Sequence, residues 1–275
     1  MERIRVRLDV AYDGGGFSGW AVQPGRRTVA GALVEALDRL LGPGAATGLT
    51  VAGRTDAGVH ATGQVCHVDL ADAAWAPVAG TLLRRLNAVL PTDVRVRAVA
   101  AVPADFDARF SATFRRYEYR VTDAAFGADP LRRHEVLAWP RPLYLAALTE
   151  AARGLLGEHD YAAYCRRKEH ATTVRELTRL DWRRDPDGLL VGTVQADAFC
   201  QSMVRSLVGA MLMAGDGRRP TDWPGSLLRR RERAGEVPVV PPHGLTLVAV
   251  GYPDDPTEYA RRADATRRLR LPAEA

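Results

Sequence analysis

Residues 3 to 10 alternate without a break: Ile4, Val6, Leu8 and Val10 fall on one face, and Arg3, Arg5, Arg7 and Asp9 on the other. A period of two belongs to a strand with one buried face, which excludes an all-helical chain at the first element. The period then changes. After the turn Asp13-Gly14-Gly15-Gly16, the apolar residues Val29, Leu33, Leu37 and Leu40 recur at helical spacing. Thr28 is placed to cap the start of this helix and Gly42 to end it. The opening unit is strand, loop, helix.

The same switching between periods continues along the chain. Strands are expected at residues 49 to 52, 64 to 70 and 94 to 102, with a helix over 78 to 90. In the strand over 64 to 70, Cys66, Val68 and Leu70 form the apolar face. After the loop Pro103-Ala104-Asp105-Phe106, strands are expected at 116 to 121, 173 to 182, 189 to 196 and 245 to 252, and helices at 143 to 156 and 201 to 214. No sequence repeat relates the halves, but strand and helix alternate similarly in both. The economical architecture is therefore α+β, two halves sharing or abutting a sheet. The expected organisation is an N-terminal half over 1–110, a C-terminal half over 111–252, and a charged tail over 253–275. The tail carries five acids and five arginines from Asp254 onward and reads as a neutral peripheral helix.

Composition narrows the function classes. The chain has 275 residues, 47% hydrophobic and 26% charged, which is ordinary for a globular protein and excludes a disordered or fibrous one. No run approaches the ~18 apolar residues of a membrane span, and the start of the chain lacks the apolar stretch of a signal peptide. Cys66, Cys165 and Cys200 are odd in number, far apart and outside any C-x-x-C arrangement, which suggests neither a disulfide framework nor a zinc site. The chain reads as cytoplasmic, with no metal and no membrane. Thirty-eight basic against 33 acidic residues give +5, and Lys168 is the only lysine. Arginine suits bidentate phosphate contact and base stacking, although a GC-rich genome would produce the same bias. From Arg205 to Arg233, seven arginines face three acids, which reads either as a phosphate-tracking surface or as a solvated helix face.

The segment Gly53-Arg54-Thr55-Asp56-Ala57-Gly58-Val59-His60-Ala61 has more chemistry than a connector needs. It follows a short apolar strand, and its glycines allow tight backbone and close approach to a ligand. Asp56, at a strand end between them, is either a catalytic carboxylate or an ordinary capped-turn residue. His60 reads as structural, shaping the loop. Cys66 and His67 point to opposite faces of one strand, so they cannot both reach one ion. His159 and Asp160 read as a loop hydrogen-bond pair rather than half of a triad, since no serine or cysteine nucleophile motif accompanies them.

The segment resembles the signature of the tRNA pseudouridine synthase A family, and the match extends along the chain. Tyr12-Asp13-Gly14, Phe17-Ser18-Gly19-Trp20, Leu86-Asn87, Leu90-Pro91 and Phe106-Asp107-Ala108-Arg109-Phe110-Ser111-Ala112 fall in the family's order. So do Arg116-Tyr117-x-Tyr119, Gly157-x-His159-Asp160-Tyr161, Thr173-Val174-Arg175, Met203-Val204-Arg205 and Gly244-Leu245. Ala21 departs from the family, which usually has glutamine there.

The resemblance implies a pseudouridine synthase fold, with two α/β half-domains and mixed, mainly antiparallel sheets around a central active-site cleft. It implies an isomerase that converts uridine to pseudouridine in the anticodon stem-loop of tRNA, at tRNA positions 38, 39 and 40, with no cofactor. It implies a homodimer that binds tRNA. Asp56 takes the place of the family's catalytic aspartate and Arg205 that of its cationic partner. Tyr117 corresponds to the ring that stacks on the flipped uracil and removes the C5 proton; on residue pattern alone it would be core. Arg54 corresponds to the residue that fills the space left by the flipped base, and Leu245 to the one that caps the base pocket. A binding module without catalysis, and an enzyme that hydrolyses a glycosidic bond, are the rival readings; the latter normally needs two carboxylates.

Overall fold

The structure, a computed structural model, describes residues 3–166 and 172–268. Lys168 and residues 269–275 of the expected tail lie outside them. The chain forms two compact units: unit 1 runs to Thr113 and resumes at Leu247, and unit 2 is Phe114–Thr246.

Unit 1 is built from β1 (Arg3–Tyr12), α1 (Val29–Leu41), β2 (Ala46–Val51), β3 (His60–Ala71), α2 (Asp72–Trp75), α3 (Leu82–Val89) and β4 (Val94–Val102). β1 lies between β3 and β4, antiparallel to both, and β2 also pairs with β3. The alternation in the sequence is what puts β1 there. Val6, Leu8 and Val10 are fully buried, while Arg5 on the other face makes two hydrogen bonds, of 2.8 and 2.9 Å, to the carboxylate of Asp69 on β3. That guanidinium holds the Asp69 carboxyl below the usual carboxylate range. α1 has the expected ends: Thr28 Oγ1 accepts from the Gly31 N–H, and Gly42 takes a positive φ of 92°.

Unit 2 holds β5 (Phe114–Thr122), β6 (Leu137–Ala138), α4 (Leu145–Arg153), β7 (Gly157–Asp160), β8 (Val174–Arg184), β9 (Leu190–Ala196), α5 (Met203–Gly215) and α6 (Trp223–Ser226). Its strands run β5-β9-β8-β7, all antiparallel, with β6 parallel beside β5. Each unit is therefore α+β, and the sheets are mixed and mainly antiparallel, as expected. α5 is buried along nearly its whole length, which explains why its sequence is apolar on all sides rather than on one stripe.

The division between units falls inside β10 (Leu245–Gly251), which is followed by α7 (Tyr259–Arg268). From Leu247 the chain lies in unit 1, where β10 is hydrogen-bonded beside β3. α7 is amphipathic enough to pack: the Tyr259 ring meets Phe106 edge-on at 5.2 Å, Ala263 is buried one turn later, and Arg267 pairs with Asp107 at 3.1 Å.

Two expectations are corrected. The helix expected over 78 to 90 is shorter: α3 starts at Leu82, and residues 76–81 before it form turns in which the Thr81 and Leu82 N–H groups share the Val78 carbonyl instead of continuing a helical ladder. Cys165 and Cys200 form a disulfide, contrary to the inference from cysteine spacing. Their Cα atoms are 5.7 Å apart, inside the range a disulfide spans. The fold brings together cysteines that are 35 residues apart in sequence, so spacing carried no information about them.

Because Leu8 is fully buried at the centre of unit 1, Leu8→Ala is expected to lower the unfolding free energy by about 3 kcal/mol. Urea titration checks this, and the midpoint should fall with little change in slope.

Candidate active site

The loop between β2 and β3 is held at almost every residue. The Gly53 carbonyl accepts from Gln64 Nε2 at 2.8 Å. Thr55 is buried, its Oγ1 is 2.8 Å from the Tyr12 hydroxyl, and its carbonyl accepts from the Trp20 N–H at 3.1 Å. The Val59 N–H closes a turn back onto the Asp56 carbonyl at 3.2 Å, and the Gly58 N–H donates to Phe17 at 3.4 Å. His60 Nδ1 accepts from the Gly14 N–H at 3.0 Å and lies 3.0 Å from Asp13 Oδ1. His60 thus ties the loop to the end of β1, as its structural reading expects. Gly14 admits no side chain: a Cβ there would stand 2.0 Å from the Val59 carbonyl oxygen. Asp56 is half-buried and Arg54 is exposed on this fixed loop, so both side chains are presented from a rigid backbone.

The other candidates belong to unit 2. Tyr117 and Tyr119 share one face of β5, and both are buried. The Tyr117 ring meets Phe199 edge-on at 5.3 Å. The Tyr119 hydroxyl donates to the Pro241 carbonyl at 2.8 Å, and burial pushes its phenol up. Arg205, half-buried on the first turn of α5, donates from Nε to the Val240 carbonyl at 2.7 Å, and the Val240 N–H returns to the Arg205 carbonyl at 3.4 Å. Three residues before Arg205, Ser202 has a φ of 64°, the only positive value for a non-glycine among the described residues. Gly244 lets the turn close on Tyr119, since a Cβ there would stand 2.6 Å from the ring. Leu245 follows directly and is buried. In unit 2, Arg205 and Tyr119 hydrogen-bond to the turn 240–245 and Leu245 follows it, with Tyr117 two residues from Tyr119 on the same face of β5, while Arg54 and Asp56 sit together in unit 1.

A family model described as tRNA pseudouridine synthase matches residues 151–253. The tRNA pseudouridine synthase A of Frankia casuarinae is 58% identical over 269 residues, covering 98% of this chain and 96% of that protein. The one from Streptomyces griseus is 56% identical over 270 residues, covering 98% and 95%. The chain belongs to the tRNA pseudouridine synthase A family. The enzyme of that name from Mycobacterium leprae is 49% identical over 280 residues, covering 98% of this chain and 96% of that one.

Cys66 is fully buried and burial pushes its thiol up. His67 faces the 106–108 segment, where its Nδ1 accepts from the Ala108 N–H at 3.0 Å. The expected loop pair of His159 and Asp160 is corrected: both lie on β7 and take different partners, His159 Nε2 the Leu156 carbonyl, and Asp160 the donors of Ala162, Thr173 and Arg231. Several of the seven arginines between 205 and 233 are engaged, Arg218 with Asp216, Arg230 with Glu236 and Arg231 with Asp160. Near Ala21, Gln23 Nε2 donates to the Ser18 carbonyl at 2.9 Å. No helix among the described residues is long and apolar enough to cross a membrane.

Sequence reasoning missed Gln64. It is fully buried and falls in phase with Cys66, Val68 and Leu70 on the apolar face of β3. A polar residue in an apolar phase is a readable signal, because burial costs free energy unless the amide is satisfied.

Burial, with the Arg5 guanidinium adding to it, lowers the His67 pKa from 6.5. The unfolded chain then binds the proton more readily than the folded one, so His67 costs stability as pH falls below about 6.5 and costs none well above it. Thermal melts of the wild type should shift down between pH 7 and 5.5, and His67→Asn, whose side-chain oxygen can still accept from Ala108, should flatten part of that shift.

Proposed function

We propose that this protein converts uridine to pseudouridine in the anticodon stem-loop of tRNA, at tRNA positions 38, 39 and 40, without a cofactor. The reaction breaks the bond from C1′ to N1, turns the uracil, and forms a bond from C1′ to C5. The C5 proton leaves and N1 gains one, so no electrons are exchanged. The observation that carries the reading is the presentation of Asp56: a half-exposed carboxylate on a loop pinned on both flanks. Preorganisation of this kind gives a carboxylate its catalytic value, since a reacting group must already be in place when the substrate arrives.

Asp56 starts the glycosidic cleavage, as nucleophile or as base. Arg205 supplies the positive charge that keeps a carboxylate ionised next to a base. Tyr117 offers an aromatic ring for the extruded uracil and a hydroxyl for the C5 proton. Leu245 gives the base an apolar contact. Arg54, exposed beside Asp56, has the flat guanidinium needed to stack where the uridine has left the stem. The protein is a cytoplasmic homodimer that binds tRNA, and its arginines reach phosphates, so binding should weaken steeply with salt.

Tritium release from tRNA labelled at uracil C5 tests this reading. Wild type should release tritium; Asp56→Asn should bind tRNA normally with turnover lost, and Arg205→Ala should turn over more slowly. Strong residual turnover by Asp56→Asn would sink the assignment. Free uracil as product would replace isomerisation by hydrolysis.

A further inference from the structure

The hydrogen bonds beneath the Asp56 loop run through three side chains that the reaction itself does not require. Tyr12 ends β1, Gln64 lies on β3 and Thr55 precedes Asp56. Gln64 is fully buried, and its orientation is determined by its partners. A carbonyl can only accept, so the group 2.8 Å from the Gly53 oxygen is the amide nitrogen, and Oε1 is left to accept from the Val65 N–H at 3.2 Å. The same nitrogen donates to the Tyr12 hydroxyl at 3.2 Å, and Tyr12 and Thr55 share a hydrogen bond at 2.8 Å in which either can donate. The chain of contacts starts at the carbonyl of residue 53 and ends at the side chain of residue 55. It therefore brackets Arg54 and stops one residue short of Asp56.

An apolar side chain at position 64 would match the face that Cys66, Val68 and Leu70 present, without the cost of burying an amide. The amide is instead spent on the loop. The Tyr12 ring stays fixed for its own reasons, buried and tilted against Trp20 at 6.0 Å between centroids. Trp20 in turn donates its backbone N–H to the Thr55 carbonyl, so both the side chain and the backbone of Thr55 are tied to the same structure.

We propose that Tyr12, Thr55 and Gln64 are positioning residues for the reaction: together they set where the Asp56 carboxylate meets the ribose, without touching substrate. This rests on Asp56 being the catalytic carboxylate. A misplacement of about 1 Å at a reacting group can cost on the order of a hundredfold in rate. A network that holds only the fold would change stability instead.

The test uses single-turnover tritium release at saturating tRNA, with tRNA binding and thermal melting measured on the same proteins. Tyr12→Phe and Thr55→Val each remove one hydroxyl and preserve shape. Each should slow release about tenfold to a hundredfold. Affinity for tRNA should stay within about twofold, which separates a transition-state loss from a binding loss. Because both break the same link, the double variant should be no slower than the slower single one. Thr55→Ser, which keeps the hydroxyl, should recover most of the rate. Wild-type rates with lowered melting temperatures would overturn the proposal, as would losses that multiply in the double variant. If Asp56→Asn itself turns over, the underlying reading fails first and the proposal with it. If Asp56→Asn is dead while Tyr12→Phe and Thr55→Val are fully active, only the positioning role is lost.

Discussion

The backbone of the Asp56 loop can be no steadier than the strand it leans on, and that strand is β1. β1 has neighbours on both sides and an apolar face that is buried from Val6 to Tyr12, so its end is firmly packed. Two residues at its end hold the loop: Tyr12 through its hydroxyl to Thr55, and Gly14 through its N–H to His60. The close pass of Gly14 over Val59 is possible only because glycine has no Cβ to collide with the carbonyl. A larger residue there would move the turn that Asp56 starts, even without touching the carboxylate.

Unit 2 solves a similar problem by different means. Arg205 stands at the start of a helix with almost no exposed surface, a place where an ionised side chain would be expensive unless its hydrogen bonds were met. Val240 meets one of them and is itself held by the Arg205 backbone. The next residue, Pro241, takes the Tyr119 hydroxyl. Tyr119, which is hardly more than packing by sequence pattern, thereby anchors the turn that leads to Leu245, and it shares its strand face with Tyr117. Arg205 and Tyr119 are both tied to this one short segment, which leads directly into Leu245.

Much of this was legible from residue order. The period-two run over 3 to 10, the Thr28 cap and Gly42 stop of α1, and the strand over 94 to 102 depend on local rules, and the structure follows them. The helix expected over 78 to 90 begins only at Leu82, because the residues before it close into turns on the Val78 carbonyl, which an apolar repeat does not reveal. Phe106 did not announce its partners Tyr252 and Tyr259, since contacts between residues so distant in sequence leave no local period. The disulfide between Cys165 and Cys200 is invisible for the same reason. The loop at 53–61 was conspicuous by composition, whereas Gln64 was visible only as a polar residue out of keeping with its strand face.

The arginine content shows how composition and geometry part company. A count of basic residues suggests a polyanion as partner, yet many of these guanidiniums are already committed inside the protein: Arg5 to Asp69, Arg27 to Asp93, Arg184 to Asp123 and Arg231 to Asp160. Others lie over aromatic rings, as Arg27 does over Phe17 at 3.9 Å. An arginine already forked onto a carboxylate contributes little net field at the surface, because its charge is balanced within a few ångströms. Arg54 is exposed two residues before Asp56, on a loop held by hydrogen bonds from Tyr12 and Gln64. Charge total bears on how readily a nucleic acid arrives; the rigidity of residues 53 to 60 bears on what can be done to it afterwards.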